Sequence, residues 1–162
     1  MKAGPFLFMA LLSFLSGCAF TAPYRRMGAA QTGALAADHM AVVTLSAVEH
    51  QPGKRKPFFD DTKRVFADLP NQEGLLGYSF RFQFFGNKAW TMTAWEDEAS
   101  RDRFARSPVH LAAVRNSRTT AQNMRFISVK VPASSLPLSW REALKHLEAA
   151  PGYEQRPHAA SH

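Results

Sequence analysis

Residues 90–115 read WTMTAWEDEASRDRFARSPVHLAAVR, and the change of period inside this run decides the fold. Trp90, Met92 and Ala94 alternate with Thr91, Thr93 and Trp95, the two-residue repeat of a strand with two distinct faces. The alternation stops at Glu96. Asp97 offers a side-chain oxygen to the free N–H groups of a helical first turn, and Glu98 adds negative charge at the positive end of the helix dipole. Pro108 cannot donate to a carbonyl four residues back, so it breaks the helix and opens a second segment capped by Ser107. His110 therefore falls early in that second segment.

Working outward, residues 76–84 (LGYSFRFQF) place Leu76, Tyr78, Phe80, Phe82 and Phe84 on one strand face and Ser79, Arg81 and Gln83 on the other. Gly86-Asn87 suits a two-residue turn with positive φ, which makes this strand and the Trp90 strand a hairpin. Upstream, residues 40–48 (MAVVTLSAV) are apolar and β-branched, the composition of a central strand, and Pro52-Gly53 ends it. Phe58, Thr62, Val65, Phe66 and Leu69 then repeat at helical spacing, with Asp60, Asp61, Lys63 and Arg64 toward the other side, until Pro70-Asn71. Downstream, residues 124–131 (MRFISVKV) form a fourth strand.

The order strand, helix, strand, strand, helix, strand predicts an α+β, ferredoxin-like split βαβ domain over residues 39–131. Its four-stranded antiparallel sheet carries both helices on one face. A C-terminal helical extension follows over residues 132–150, with Ser139 and Glu142 as its capping box and Trp140, Leu144 and Leu147 on one side. Residues 151–162 read as a disordered tail. The second sheet face needs a cover, and two are open: the sheet of a second subunit, closing a dimeric α/β barrel, or the C-terminal helix folding back.

The composition suits one domain with appended sequence: 162 residues, 46% hydrophobic, 20% charged, with 13 Phe to fill a core. A net charge of +7 fits an acidic ligand, a nucleic acid or an anionic lipid surface. The N terminus favours lipid. Lys2 precedes an apolar run from Pro5 to Leu15 that is short for a bilayer span, and Leu15-Ser16-Gly17-Cys18 ends it. This ending resembles the lipobox of bacterial lipoproteins. The resemblance implies removal of a signal peptide, residues 1–17, and a diacylglycerol thioether and further acylation on Cys18. It also implies a place in the cell envelope, at the outer membrane where the cell has one. The competing reading is a plain signal peptide or anchor helix that contains a cysteine. Residues 18–38 then read as the lipidated Cys18 and a flexible tether rich in Ala, Gly, Thr and Gln. Cys18 is the only cysteine, so no intramolecular disulfide or Cys-based metal site is available.

The run TMTAWEDE at 91–98, Phe104 and the run SPVHLAAVR at 107–115 together resemble the second half of the antibiotic biosynthesis monooxygenase family, within the dimeric α/β-barrel superfamily. The resemblance covers residues 39–131 in element order and rests on about 26 residues of sequence. It implies a homodimer and a cofactor-independent oxygenase acting on a small hydrophobic aromatic or quinone-like compound. His110 would be the base, Arg81 the stabiliser of the oxyanion, and Trp90, Trp95 and Phe104 the apolar walls. Against these roles, His110 also suits a plain first-turn histidine, and Arg81 a carboxylate partner or a solvent-facing side chain. Trp90 and Trp95 lie on opposite strand faces, so at most one lines any single pocket.

Haem is the rival ligand, since the superfamily includes haem-degrading enzymes. Those carry the helix histidine further along, near Val114 here, and an asparagine in the first strand, which residues 40–48 lack. His39, His50, His146, His158 and His162 are not spaced as metal pairs. Phosphate-cradling loops and a G-x-S-x-G elbow are absent, and an exported lipoprotein rarely meets nucleic acid. A non-catalytic envelope lipoprotein, binding a hydrophobic ligand, haem or a protein partner through the same barrel, is the alternative function. Cys18→Ser is expected to abolish incorporation of labelled palmitate in cells, and labelling equal to wild type would overturn the lipobox reading.

Overall fold

The computed structural model describes residues 19–28, 35–36 and 38–150, together with the backbone of residues 153–154. Cys18, the signal segment before it and most of the tail lie outside the described residues. In chain order the elements are β1 (Ala19–Thr21), β2 (Arg25–Arg26), β3 (Met40–His50) and α1 (Arg55–Asp68), which runs into a 3₁₀ turn at Leu69–Asn71. Then come β4 (Leu75–Gln83), β5 (Lys88–Trp95), α2 (Glu98–Ala105), α3 (Pro108–Thr120) and β6 (Ala121–Pro132). A 3₁₀ turn at Ala133–Ser135, α4 (Trp140–Ala149) and β7 (Tyr153–Glu154) complete the described elements. The sheet is antiparallel, ordered β1-β4-β5-β3-β6-β7, with β2 also on β4. Its central four strands have the predicted split βαβ connection.

The helix junctions form as their residues dictate. Asp97 accepts from the Ser100 N–H at 2.7 Å and caps α2, and Ser107 accepts from the His110 N–H at 3.3 Å and caps α3. The Ser139–Glu142 capping box closes the start of α4.

The two sheet faces bury different cores. Val42, Tyr78 and Trp95 face α1, α2 and α3, and pack with Leu69, Phe104, Val65 and Phe66. Ala41, Val43, Leu45, Met92 and Ala94 face the other way, toward Ala143 and Leu147 of α4 and Leu136. Of the two possible covers for this second face, the C-terminal helix is the one the structure shows. Val43, Leu45 and Ala94 are wholly inaccessible within a single chain. Trp140 ties α4 down by donating from Nε1 to the Ser79 hydroxyl at 3.0 Å.

Three expectations change. Residues 19–28 are not a free tether: β1 and β2 pair with β4, Ser79 donates to the Ala22 carbonyl, and the Tyr24 ring lies where a side chain on Gly77 would stand. The edge of β4 has backbone groups to satisfy, and the N-terminal segment satisfies them in pieces too short to show a period. At the start of β4 the register shifts between Leu75 and Gly77, a bulge that sends Leu76 to the α4 face while Tyr78 faces the helices. The hairpin ends in a four-residue loop, Phe84 to Asn87, with no positive φ at either Gly86 or Asn87. Its shape comes from elsewhere in the fold: Arg55 Nη1 donates to the Gln83 and Gly86 carbonyls at 3.2 and 3.0 Å, and the His50 N–H donates to Asn87 O.

Leu147 is 3% exposed at the centre of the α4 contact. Leu147→Ala should lower unfolding free energy by about 2–5 kcal/mol, read as a lower urea midpoint, and an unchanged midpoint would mean that α4 contributes little to holding the domain together.

Candidate functional site

The strand faces turned toward α2 and α3 carry hydroxyl groups in register. Ser128, Thr44 and Thr93 align across β6, β3 and β5, and the next row is Phe126, Ser46 and Thr91. Thr44 and Ser128 oxygens lie 3.1 Å apart, and those of Ser46 and Thr91 2.5 Å apart. Above the first row, α2 and the start of α3 complete a cleft of about 420 Å³ that includes Trp95, Phe104, Arg101 and His110. A smaller apolar pocket of about 120 Å³ continues behind it between α1, α3 and the sheet. His110 and Phe126 border both.

The position of His110 follows from the break at Pro108. In an unbroken helix the Ala105 carbonyl would accept from the residue at 109, but α2 ends here and leaves that carbonyl free. The His110 imidazole takes it, with Nδ1 3.0 Å from Ala105 O. A carbonyl only accepts, so Nδ1 carries the proton and Nε2 keeps its lone pair. Nε2 has no hydrogen-bond partner among the described residues. The ring packs on Phe104 at 4.8 Å, and Phe104 stacks on Trp95 at 5.0 Å. Burial pulls the His110 pKa below its ordinary value, and the bond to Ala105 opposes this only in part.

Arg101, which the sequence reading passed over, sits three residues before Phe104 on the same side of α2. Its Nη1 donates to Ser128 Oγ at 3.1 Å, and its Nε is 2.6 Å from Asp102. The Thr44–Ser128 hydrogen bond can run in either direction, and with Ser128 as its donor the Thr44 hydroxyl hydrogen is free for a ligand. Trp95 Nε1 likewise donates to Thr93 Oγ1 at 2.9 Å, leaving the Thr93 hydrogen available. The cleft thus offers hydroxyl donors on its floor, aromatic rings on one wall and a neutral imidazole at its inner end. The spacing of Arg101 from Phe104, and the parity that puts Thr44 with Ser46 and Thr91 with Thr93, were the signals available in the sequence.

The predicted site residues divide into two groups. His110, Trp95 and Phe104 come together. Arg81 and Trp90 lie on the opposite face of the sheet, where the Arg81 guanidinium stands 5.8 Å from the Trp90 ring and reaches Thr21. Strand parity puts a layer of backbone between Arg81 and His110, so Arg81 cannot stabilise an anion formed beside His110. Val114, the position compared above with a haem-degrading helix histidine, lines the inner pocket.

Solved structures with this fold include a "putative monooxygenase" from Lactobacillus acidophilus NCFM, 12% identical with a TM-score of 0.51, over 57% of this chain and 45% of that one. SnoaB, a cofactor-independent oxygenase from Streptomyces nogalater, is 16% identical with a TM-score of 0.50, over 60% of this chain and 98% of that one. A protein of unknown function from Nitrosomonas europaea is 17% identical with a TM-score of 0.53, over 63% and 99%. The chain therefore spans less than half the length of the Lactobacillus protein and nearly all of the other two. No protein-family model and no curated protein matches the sequence. The domain shares the α+β fold of these structures, and identities this low speak for the fold alone.

A lowered His110 pKa has a definite sign in stability. Above the unfolded-state value near 6.5 both states are neutral and His110 contributes no pH dependence. As pH falls below it, the unfolded chain takes the proton first and stability is lost, down to the lower folded-state value. His110→Gln should lessen the fall in urea midpoint between about pH 7.5 and about pH 5. An equal fall in variant and wild type would place His110 in water.

Proposed function

We propose that this protein is a membrane-tethered, cofactor-independent monooxygenase acting on a small hydrophobic phenol or quinol. The observation that carries the reading is the His110 imidazole, desolvated and fixed in one tautomer by Ala105, with Nε2 unpaired where the cleft meets the inner pocket. The likeness of fold to a cofactor-independent oxygenase supports it. The tether rests on Cys18 and its preceding residues.

In this reaction the ring of the substrate lies against Phe104 and Trp95, and its hydroxyl meets His110. Nε2 takes the hydroxyl proton. The resulting oxyanion accepts from Thr44, with Ser128 donating to Thr44 in turn, and from Thr93. Deprotonation makes the ring a reductant for dioxygen. For a phenol with a free ring C–H the balance is phenol plus O₂ to quinone plus water: one oxygen enters the ring, the other leaves as water, and all four electrons come from the substrate. The apolar surroundings keep solvent from the reactive intermediates. A dimer that pairs two sheets face to face would have to displace α4, so a homodimer of this protein uses a different surface.

Oxygen uptake is the direct test, with a set of hydrophobic phenols and quinols, no added cofactor and haem titrated in parallel. Uptake is expected, and His110→Gln should reduce it about 10²- to 10⁴-fold while circular dichroism stays that of wild type. A Soret shift without uptake would instead support haem binding. Silence on both counts favours the non-catalytic lipoprotein.

A further inference from the structure

Two of the large apolar side chains that the fold leaves exposed, Phe20 and Phe84, lie together outside the cleft, and the exposed Phe85 follows Phe84 in the same loop. Phe20 is 45% exposed, Phe84 54% and Phe85 74%. Phe20 lies 6.3 Å from Phe84 by ring centroids, and both rings contact Phe82, at 5.3 and 5.1 Å. This is a contiguous aromatic patch at one end of β4, the kind of surface that a soluble domain ordinarily reserves for contact. Basic side chains adjoin it. Arg55 holds the Phe84–Asn87 loop by its carbonyls and stands 5.7 Å from the Phe82 ring, Lys54 is its exposed neighbour, and Lys88 follows the loop. The nearby carboxylate, Glu49, accepts from Asn87.

The register of β1 gives the patch its meaning. Ala19 pairs with Gln83 and Phe20 with Phe82, so the chain enters the domain beside the Phe84–Phe85 loop. Cys18 is the residue that precedes Ala19 in the sequence. A lipid attached there would hold this end of the sheet, and no other, against the bilayer.

We propose that Phe20, Phe84 and Phe85 form a second membrane contact, with their rings in the boundary between headgroups and acyl chains of an anionic bilayer and Lys54, Arg55 and Lys88 meeting headgroup phosphates. The anchor limits distance, and the patch fixes orientation. Aromatic rings flanked by cationic side chains suit that boundary, which is apolar below and anionic above. The proposal takes its geometry from the tethering reading and adds to it a surface that binds lipid by itself.

The test uses the protein as purified from cells, carrying Phe85→Trp, with vesicles of phosphatidylcholine and phosphatidylglycerol brominated near the headgroups. Fluorescence above that of the wild-type tryptophans should be quenched and shifted to the blue. In sedimentation, Phe84→Ser with Phe85→Ser should weaken partition into unbrominated vesicles about tenfold or more without changing circular dichroism. Binding should also weaken as salt is raised. Unquenched fluorescence, or unchanged partition of the double variant, overturns the proposal. So does a molar mass that rises with concentration in wild type and not in the double variant, which would make the patch a contact between copies. Palmitate labelling of the same preparation separates the two ideas. Quenching without label removes the tether and leaves the patch, and label without quenching leaves the tether and removes the patch.

Discussion

The site depends on an interrupted helix. An α-helix consumes its own carbonyls, and only at an end do they become available to side chains. Ser107-Pro108 creates such an end one turn before His110, so a freed carbonyl and an imidazole face each other across the break. Phe104, on the last turn of α2, is thereby brought against both His110 and Trp95. The same Ser107 caps the helix that carries His110, so tautomer, ring position and helix start are settled together.

A sheet imposes the second constraint, because alternate side chains project to opposite sides. In this molecule the two sides have separate work. One carries hydroxyl groups and aromatic rings beneath α1, α2 and α3. The other is apolar and closed by α4, Leu136 and the Tyr24 segment. Tyr24 shows how tight the closure is: burial pushes its phenol pKa up to about 12, and its hydroxyl has no hydrogen-bond partner among the described residues. Ser79 joins three parts of the chain, accepting from Trp140 of α4 and donating to Ala22 of the N-terminal segment. This face is thus covered from within one chain.

Much of this was legible in the residues. Period-two alternation located β4 and β5, apolar β-branched composition located β3, residues 124–131 read as the strand that is β6, and the capping residues Asp97, Ser107 and Ser139 located the starts of α2, α3 and α4 within a residue. These signals are local, and local geometry suffices for them. His110, Trp95 and Phe104, named from the sequence, share one cleft because each is tied to the Pro108 break or to the parity of one strand. Parity separated Trp90 from Trp95 as well.

Other features depended on contacts distant in sequence. Arg81 was grouped with His110 although it faces the other side of the sheet, since parity within β4 does not say which of its faces meets α3. Arg101 gains its role from Ser128, 27 residues away, and the loop at Phe84–Asn87 takes its shape from Arg55 rather than from Gly86-Asn87. β1 and β2 are only three and two residues long, too short to show a period, and exist because the edge of β4 supplies their partners. The sequence by itself determined the four central strands, the helices between them, their order and the break that positions His110, because these follow from neighbours along the chain. Tertiary structure alone decided which face α4 covers, which arginine reaches the cleft and where the N-terminal segment docks, because those choices are made by groups that meet only when the chain has folded.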